Sequence, residues 1–151
     1  MPNTLTLRKL LDLAEKKSKE SAKKLGKLNF QHLEAEKKLN LLLQYRQSYQ
    51  TRLQNLSQNG INHVELQNFI RFVDKLDTAI SEQRLAVKHA VNSRNTGNSE
   101  YQSCQRRLNS YDTLSQRYKK TEQLIQTKAE QKELDEFISN RFIQNNSNNE
   151  K

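Results

Sequence analysis

The sequence predicts an all-α fold: a long two-helix antiparallel coiled-coil hairpin in which helix two is longer than helix one. Two seven-residue repeats of apolar residues, separated by one strong turn signal, indicate this fold. The composition agrees with it. Of 151 residues, 33% are hydrophobic and 28% are charged, and there are three glycines and one proline. Regularly spaced leucines in so polar a chain are typical of a helix that buries a narrow stripe.

The first repeat predicts helix one over about 4–57. It advances from Leu7 by alternating steps of four and three residues, and eleven of its fifteen positions are apolar. The positions are Leu7, Leu11, Ala14, Ser18, Ser21, Leu25, Leu28, His32, Ala35, Leu39, Leu42, Arg46, Tyr49, Leu53 and Leu56. In such a repeat the apolar positions face a partner helix.

A turn over 58–62 ends this repeat. Asn59 and Gly60 both tolerate a positive φ, which favours a helix end. Asn62 can cap the next helix, and Glu65 at its third position can reach back to the cap. Because the connection is short, the second helix is expected to run antiparallel to the first.

The second repeat predicts helix two over about 63–142, followed by a disordered tail over 143–151. Eleven of fourteen positions between Leu66 and Tyr111 can pack. They are Leu66, Phe69, Val73, Leu76, Ile80, Gln83, Val87, Ala90, Arg94, Gly97, Tyr101, Cys104, Leu108 and Tyr111. The polar stretch 92–99 contains weak helix formers. It predicts a continuous but weakened helix, with a kink or local melting as the alternative.

The turn also sets the register of the pair. Because Leu56 lies near Leu66, facing residues have numbers that add to roughly 122. Residues after about 118 then have no partner in helix one, so helix two overhangs by some 20–25 residues. This overhang contains Leu124, Ile125, Phe137, Ile138 and Phe142, which is apolar enough to need a partner.

The formal net charge of +9 is concentrated in two segments. Residues 7–27 contain eight basic and three acidic residues, and residues 106–132 contain seven and three. In the hairpin these segments are adjacent and would attract an acidic partner. The basic runs are Lys16, Lys17, Lys23 and Lys24, together with Arg117, Lys119 and Lys120. They are compatible with phosphate binding, but a solvated coiled-coil face with pairs such as Glu20–Lys24 and Glu34–Lys38 is favoured.

No catalytic, cofactor or metal site is predicted, and we expect no enzyme activity. The three histidines are far apart in the sequence, and there is no nucleophile motif or phosphate-binding glycine loop. Cys104 is the sole cysteine, so an internal disulfide is impossible and a reduced, cytoplasmic protein is expected. His32 is interpreted as a polar residue in the seam. No apolar run is long enough for a signal peptide or a membrane span.

A candidate protein-binding patch lies near the turn. The heptad positions and the register place six residues on one side of the hairpin: Leu42, Tyr45, Tyr49, Phe72, Leu76 and Ala79. Exposed clusters of this type commonly bind proteins. The alternative is that Leu42, Tyr49 and Leu76 belong to the seam, while Tyr45 and Phe72 merely cover it.

Over about residues 5–142 the sequence resembles the flagellar export protein FliJ family of type III secretion. The matching elements are Leu11–Lys16, Leu25-Gly26, Tyr45 and Tyr49, Asn59–Ile61, the run from Phe72 to Ile80, and Gln131–Phe137. The resemblance implies a coiled-coil stalk that inserts into the flagellum-specific ATPase ring, promotes its assembly and links it to the export gate protein FlhA. It also implies binding to export chaperones.

The resemblance further implies that the patch of Leu42, Tyr45, Tyr49, Phe72, Leu76 and Ala79 contacts the gate protein. We expect the ATPase ring to contact Lys16, Lys17, Lys23, Lys24, Lys119 and Lys120. The expected location is the cytoplasm, peripheral at the inner-membrane export apparatus. Two other functions are an escort chaperone for secreted flagellar subunits and a basic nucleic-acid-binding coiled coil, which is disfavoured.

Overall fold

The computed structural model describes residues 4–150, and within that range the fold is entirely helical and turn. Helix α1 spans Thr4–Asn59 and helix α2 spans His63–Asn149. Only Gly60, Ile61, Asn62 and Glu150 lie outside the helices. The two helices pack side by side in opposite directions, which confirms the predicted all-α hairpin.

The turn is formed as its residues predict. Gly60 has φ 85°, the one positive φ among residues 4–150, and it follows the last residue of α1. Glycine adopts this conformation without the steric cost of a β-carbon. The carbonyl of Asn62 accepts the first bond of α2, from the Leu66 amide at 3.0 Å, so Asn62 occupies the N-cap position.

The end of α2 differs from the prediction. The helix continues to Asn149 rather than ending near 142, so residues 143–149 are helical and not a disordered tail. The sequence contains no proline or glycine after Gly97. Extending an existing helix adds one hydrogen bond for each residue fixed, so weak helix formers alone do not end it.

The structure divides into two compact units. The turn unit is Lys16–Gln105, and the terminal unit is the described part of Met1–Glu15 and Arg106–Lys151. In the turn unit Leu76 and Ile80 are the buried apolar side chains, and in the terminal unit these are Leu7 and Ala14. The predicted seam positions of both helices are buried or half-buried, which agrees with both repeats.

Contacts inside the turn unit give its register. Lys24 pairs with Glu100, Arg46 with Asp77, and Tyr49 with Phe72. The residue numbers of these pairs add to 124, 123 and 121. In the terminal unit, Leu7 and Ser115 line one groove, and their numbers add to 122. These pairings agree with the register that the turn predicts.

Polar side chains interrupt the apolar seam of the turn unit, and each buried one has a partner. Gln105 Nε2 donates to Ser18 Oγ at 2.6 Å, and Gln83 Nε2 donates to the Ala35 carbonyl at 2.9 Å. His32 lies 3.1 Å from Glu36 and 3.4 Å from Arg94. Buried polar groups with partners favour one alignment of two helices over alternatives.

The polar stretch 92–99 is helical throughout, so the predicted continuous helix is confirmed. Gly97 is buried there, and a β-carbon at this position would lie 2.6 Å from Leu28 Cδ1. The glycine therefore weakens the helix locally but gives room for a leucine of the opposing helix.

Candidate protein-interaction site

Three aromatic rings form a cluster next to the turn. The Tyr49 ring of α1 stacks on Phe72 of α2, with centroids 4.3 Å apart and an interplanar angle of 28°. Tyr49 also meets Phe69 edge-on, with centroids 5.8 Å apart at 60°. Such ring pairs stabilise a contact by about 0.5–1.5 kcal/mol beyond the buried area. The cluster therefore fixes the two helices to each other near the turn.

Arg52 lies over this cluster. Its guanidinium carbon is 5.9 Å from the centroid of the Tyr49 ring, within the range of a cation–π contact. The sequence interpretation included neither Arg52 nor Phe69 in the patch. Phe69 is a seam position of the second repeat, which gave no reason to add it to the patch. Arg52 lies seven residues after Tyr45 and shares its heptad position, so the repeat could have added Arg52 to the patch.

The structure divides the six predicted patch residues into two groups. Tyr45 and Phe72 are exposed, at 51% and 40% of their surface. Leu42, Tyr49 and Ala79 are half-buried, and Leu76 is buried at 7% exposure. Leu76 therefore supports the patch from the seam, and Tyr45 and Phe72 supply the accessible aromatic surface.

An ion pair joins the two helices in a groove that Leu43, Ile80 and Arg84 also line. Arg46 Nε donates to an Asp77 side-chain oxygen across the two helices. This hydrogen bond and the carboxylate charge raise the pKa of Arg46 above its ordinary value. Both side chains are substantially exposed, so the pair contributes little to stability.

The candidate ATPase-contacting lysines are all exposed. Lys16, Lys17, Lys23 and Lys24 belong to the turn unit, and Lys119 and Lys120 belong to the terminal unit. The ion pairs observed differ from the expected pairs Glu20–Lys24 and Glu34–Lys38. Lys24 Nζ lies 3.3 Å from Glu100 of α2 instead of pairing with Glu20, and Glu34 pairs with Lys37 instead of Lys38. Lys24 turns toward α2 because Glu100 is its neighbour across the seam.

The last part of α2, within the terminal unit, is exposed along its whole length. Every residue from Lys119 to Asn149 is exposed, which makes an overhang of 31 residues rather than 20–25. The excess reflects the later end of the helix. Seven of its large apolar side chains are 56–66% exposed: Leu124, Ile125, Leu134, Phe137, Ile138, Phe142 and Ile143. So much exposed apolar surface is typical of a binding segment.

Among residues 4–150 there is no group of three His, Cys, Asp or Glu side chains that could hold a metal ion. In the same range, neither helix has a segment long and apolar enough to cross a membrane. The features present are extended surfaces of aromatic, aliphatic and basic side chains.

Fold and surface together define a two-helix coiled-coil protein with exposed aromatic, aliphatic and basic surfaces. Comparison with known proteins is consistent with this class. Residues 3–147 match the family model described as "Flagellar FliJ protein". The chain therefore belongs to the FliJ family and is a component of bacterial flagellar biogenesis and protein export.

Two curated relatives support the assignment over most of the chain. The sequence is 29% identical to the flagellar FliJ protein of Salmonella typhi over 131 residues, which cover 87% of this chain and 89% of that one. It is 28% identical to the flagellar FliJ protein of Escherichia coli (strain K12) over 128 residues, covering 85% and 87%. Both matches include the turn and most of the two helices.

Proposed function

We propose that this export component is a stalk that links the flagellum-specific ATPase ring to the cytoplasmic domain of the export gate protein FlhA. The observation that carries the proposal is the stacked pair Tyr49–Phe72, which presents aromatic surface to solvent beside the turn. A stalk acts through accessible contact surfaces rather than a pocket, and two paired helices supply such surfaces.

The gate protein would bind the patch around Phe72. Tyr45 and Phe72 supply exposed aromatic area, and Tyr49 holds the Phe72 ring in place. Leu42 and Ala79 complete the surface, with Leu76 beneath it. Aromatic residues of this kind commonly dominate binding energy because they bury large area with few rotatable bonds.

The ATPase ring would bind the overhang of α2 and the exposed lysines. The face of Leu134, Ile138 and Phe142 gives an apolar contact, and Lys119 and Lys120 precede it in the same helix. An amphipathic helix of this type commonly binds in a groove of its partner. Lys16, Lys17, Lys23 and Lys24 would add attraction to acidic groups, which steers association more than it tightens it.

Reconstitution tests the linking role. Purified chain, ATPase and the gate protein's cytoplasmic domain are mixed in pairs and together, and complexes are separated by sedimentation velocity. The proposal expects one complex that contains all three proteins, and no complex of the ATPase with the gate domain when the chain is left out. Binding of only one partner, or mutual exclusion of the two, would contradict a linking role.

The ATPase contact has its own test. Phe137→Ser with Phe142→Ser changes only exposed side chains, so α2 is expected to keep its helicity. We expect this variant to lose ATPase binding and to keep gate binding. Leu85→Ser is the matched control, because Leu85 is 68% exposed on the same helix and outside the overhang. Unchanged ATPase binding would show that the overhang does not contact the ATPase.

An escort role for export chaperones is the second candidate. The same exposed apolar face of the overhang favours it, because helical partners pack on such faces. We propose a cytoplasmic location, peripheral at the inner-membrane export apparatus, for either role. Competition separates the two roles: an escort binds a chaperone through Phe137 and Phe142 and releases the ATPase, whereas a stalk holds the ATPase when the chaperone is added.

A further inference from the structure

A second apolar stripe lies on α1, on the side that faces away from the seam. Phe30, Leu33 and Leu41 are 63%, 57% and 49% exposed, although their neighbours His32, Ala35 and Leu39 are buried or half-buried. With Lys37 they recur at steps of three, four and four residues. At 3.6 residues per turn these four side chains occupy an arc of about 80°. This stripe, called the outer stripe below, is separate from the Phe72 patch and the α2 overhang.

Two opposite charges lie at the middle of the outer stripe. Glu34 and Lys37 are separated by one helical turn, with Lys37 Nζ 3.9 Å from Glu34 Oε1. Their side chains are 53% and 80% exposed, so both are accessible to another molecule. Phe30 lies on one side of this pair in the sequence, and Leu41 lies on the other side at the same spacing.

This order makes the outer stripe self-complementary. When a second copy of the helix is laid antiparallel, with its centre between Glu34 and Lys37, Phe30 faces the partner's Leu41. Glu34 then faces the partner's Lys37, and the reverse pairs follow by the two-fold axis. No like charges are opposed among the residues from Phe30 to Leu41.

We propose that the outer stripe is an interaction surface for a second copy of this chain. Its occupant is the same stripe of another molecule, bound antiparallel through an isologous two-fold contact. Charge complementarity supports this occupant, because one copy supplies both signs at the positions that the other copy needs. The proposal is independent of the export partners described above.

The contact is expected to be weak. About three turns of each helix take part. So short a contact buries less than the roughly 1,200 Å² of stable interfaces, so a Kd on the order of 10–100 µM is expected. The copies therefore exchange rapidly and associate where the protein is concentrated. A locally assembled export apparatus would provide such a concentration.

Charge reversal gives a sharp test by sedimentation velocity of the full chain over a range of concentrations. Glu34→Lys alone places lysine against lysine, and Lys37→Glu alone places glutamate against glutamate, so each is expected to be at least tenfold weaker in self-association. A mixture of the two single variants restores both attractive pairs and is expected to form a heterodimer. The double variant Glu34→Lys with Lys37→Glu is expected to dimerise like the wild type.

Matched controls keep the test specific. Glu82→Lys changes an exposed carboxylate on α2, outside the outer stripe, and is expected to leave the dimer unchanged. Phe30→Ser with Leu41→Ser removes the apolar contacts and is expected to give a monomer with unchanged helicity by circular dichroism. All of these side chains are exposed, so the fold is expected to be retained.

Several results would overturn the proposal. A wild-type chain that stays monomeric to millimolar concentration has no such surface. A dimer that survives Phe30→Ser with Leu41→Ser is held elsewhere, and failure of the mixed single variants to associate rejects the antiparallel register. If the wild type is monomeric and the Phe30→Ser variant loses ATPase or gate binding, the outer stripe is a surface for that partner instead.

Discussion

Leu28 occupies the space that a β-carbon on residue 97 would need. Its Cδ1 atom lies 2.6 Å from that position, and Cδ1 of Leu25 lies 3.7 Å from it. Gly97 is therefore a packing residue of the seam. The close approach explains how a stretch of weak helix formers remains part of a paired helix.

Substitution of two glycines by alanine tests this relationship. Gly26 is exposed with no atom near a built β-carbon, so Gly26→Ala is expected to stabilise the fold by about 0.5–1 kcal/mol through helix propensity. Gly97→Ala gains the same propensity but must displace Leu28, so its gain is expected to be smaller or reversed. Urea unfolding followed by circular dichroism measures both. Equal gains would show that Leu28 does not restrict residue 97.

The hydrogen bond between Gln105 and Ser18 is expected to be a coupled pair. Ser18 is buried, and Gln105 Nε2 donates to its hydroxyl at 2.6 Å and lies 3.2 Å from the Tyr101 hydroxyl. Gln105→Ala leaves the serine hydroxyl without this donor and is expected to cost about 1–2 kcal/mol. In the variant that also carries Ser18→Ala, part of this loss is expected to be recovered. A double-mutant cycle measures the coupling, and strictly additive losses would contradict it.

The turn is expected to depend on the left-handed backbone of residue 60. Gly60→Ala places a β-carbon on a residue with φ 85° and is expected to cost about 1–2 kcal/mol. Gly60→Asn is the matched control, and its loss is expected to be smaller because asparagine tolerates this conformation. Thermal unfolding distinguishes the two variants. The same loss for both would mean that the turn has moved to a different backbone conformation.

The sequence was sufficient to predict the fold because a seven-residue period of apolar residues specifies a coiled coil. The repeats from Leu7 and from Leu66 identify the seam, and the short turn at Gly60 sets the register. The seven-residue period does not indicate which side chain of the other helix each flanking residue contacts. The pairing of Lys24 with Glu100 and the ion pair Arg46–Asp77 depend on rotamers across the seam.

The candidate patch was predicted less completely than the fold. Tyr45 and Phe72 are exposed, whereas Leu76, a seam position that the predicted patch also included, is buried as the alternative interpretation expected. Seam positions and the positions that flank them are adjacent in the seven-residue repeat. The repeat alone therefore does not separate a buried residue from one that covers it. The ring stack on Tyr49 required coordinates, because stacking depends on side-chain orientation rather than on spacing.

We propose that the aromatic surface at Phe72 binds the export gate, and that the helicity of the hairpin does not depend on Tyr45 and Phe72. The direct measurement is the Kd for the gate protein's cytoplasmic domain with Tyr45→Ala plus Phe72→Ala, beside the helicity of the same variant. Leu85→Ala, which removes a large apolar side chain that is 68% exposed elsewhere on α2, is the matched control. We expect the patch variant to bind at least tenfold more weakly with unchanged helicity, corresponding to about 1.4 kcal/mol or more. Unchanged binding with a loss of helicity would show that these residues are part of the core, and would contradict the account.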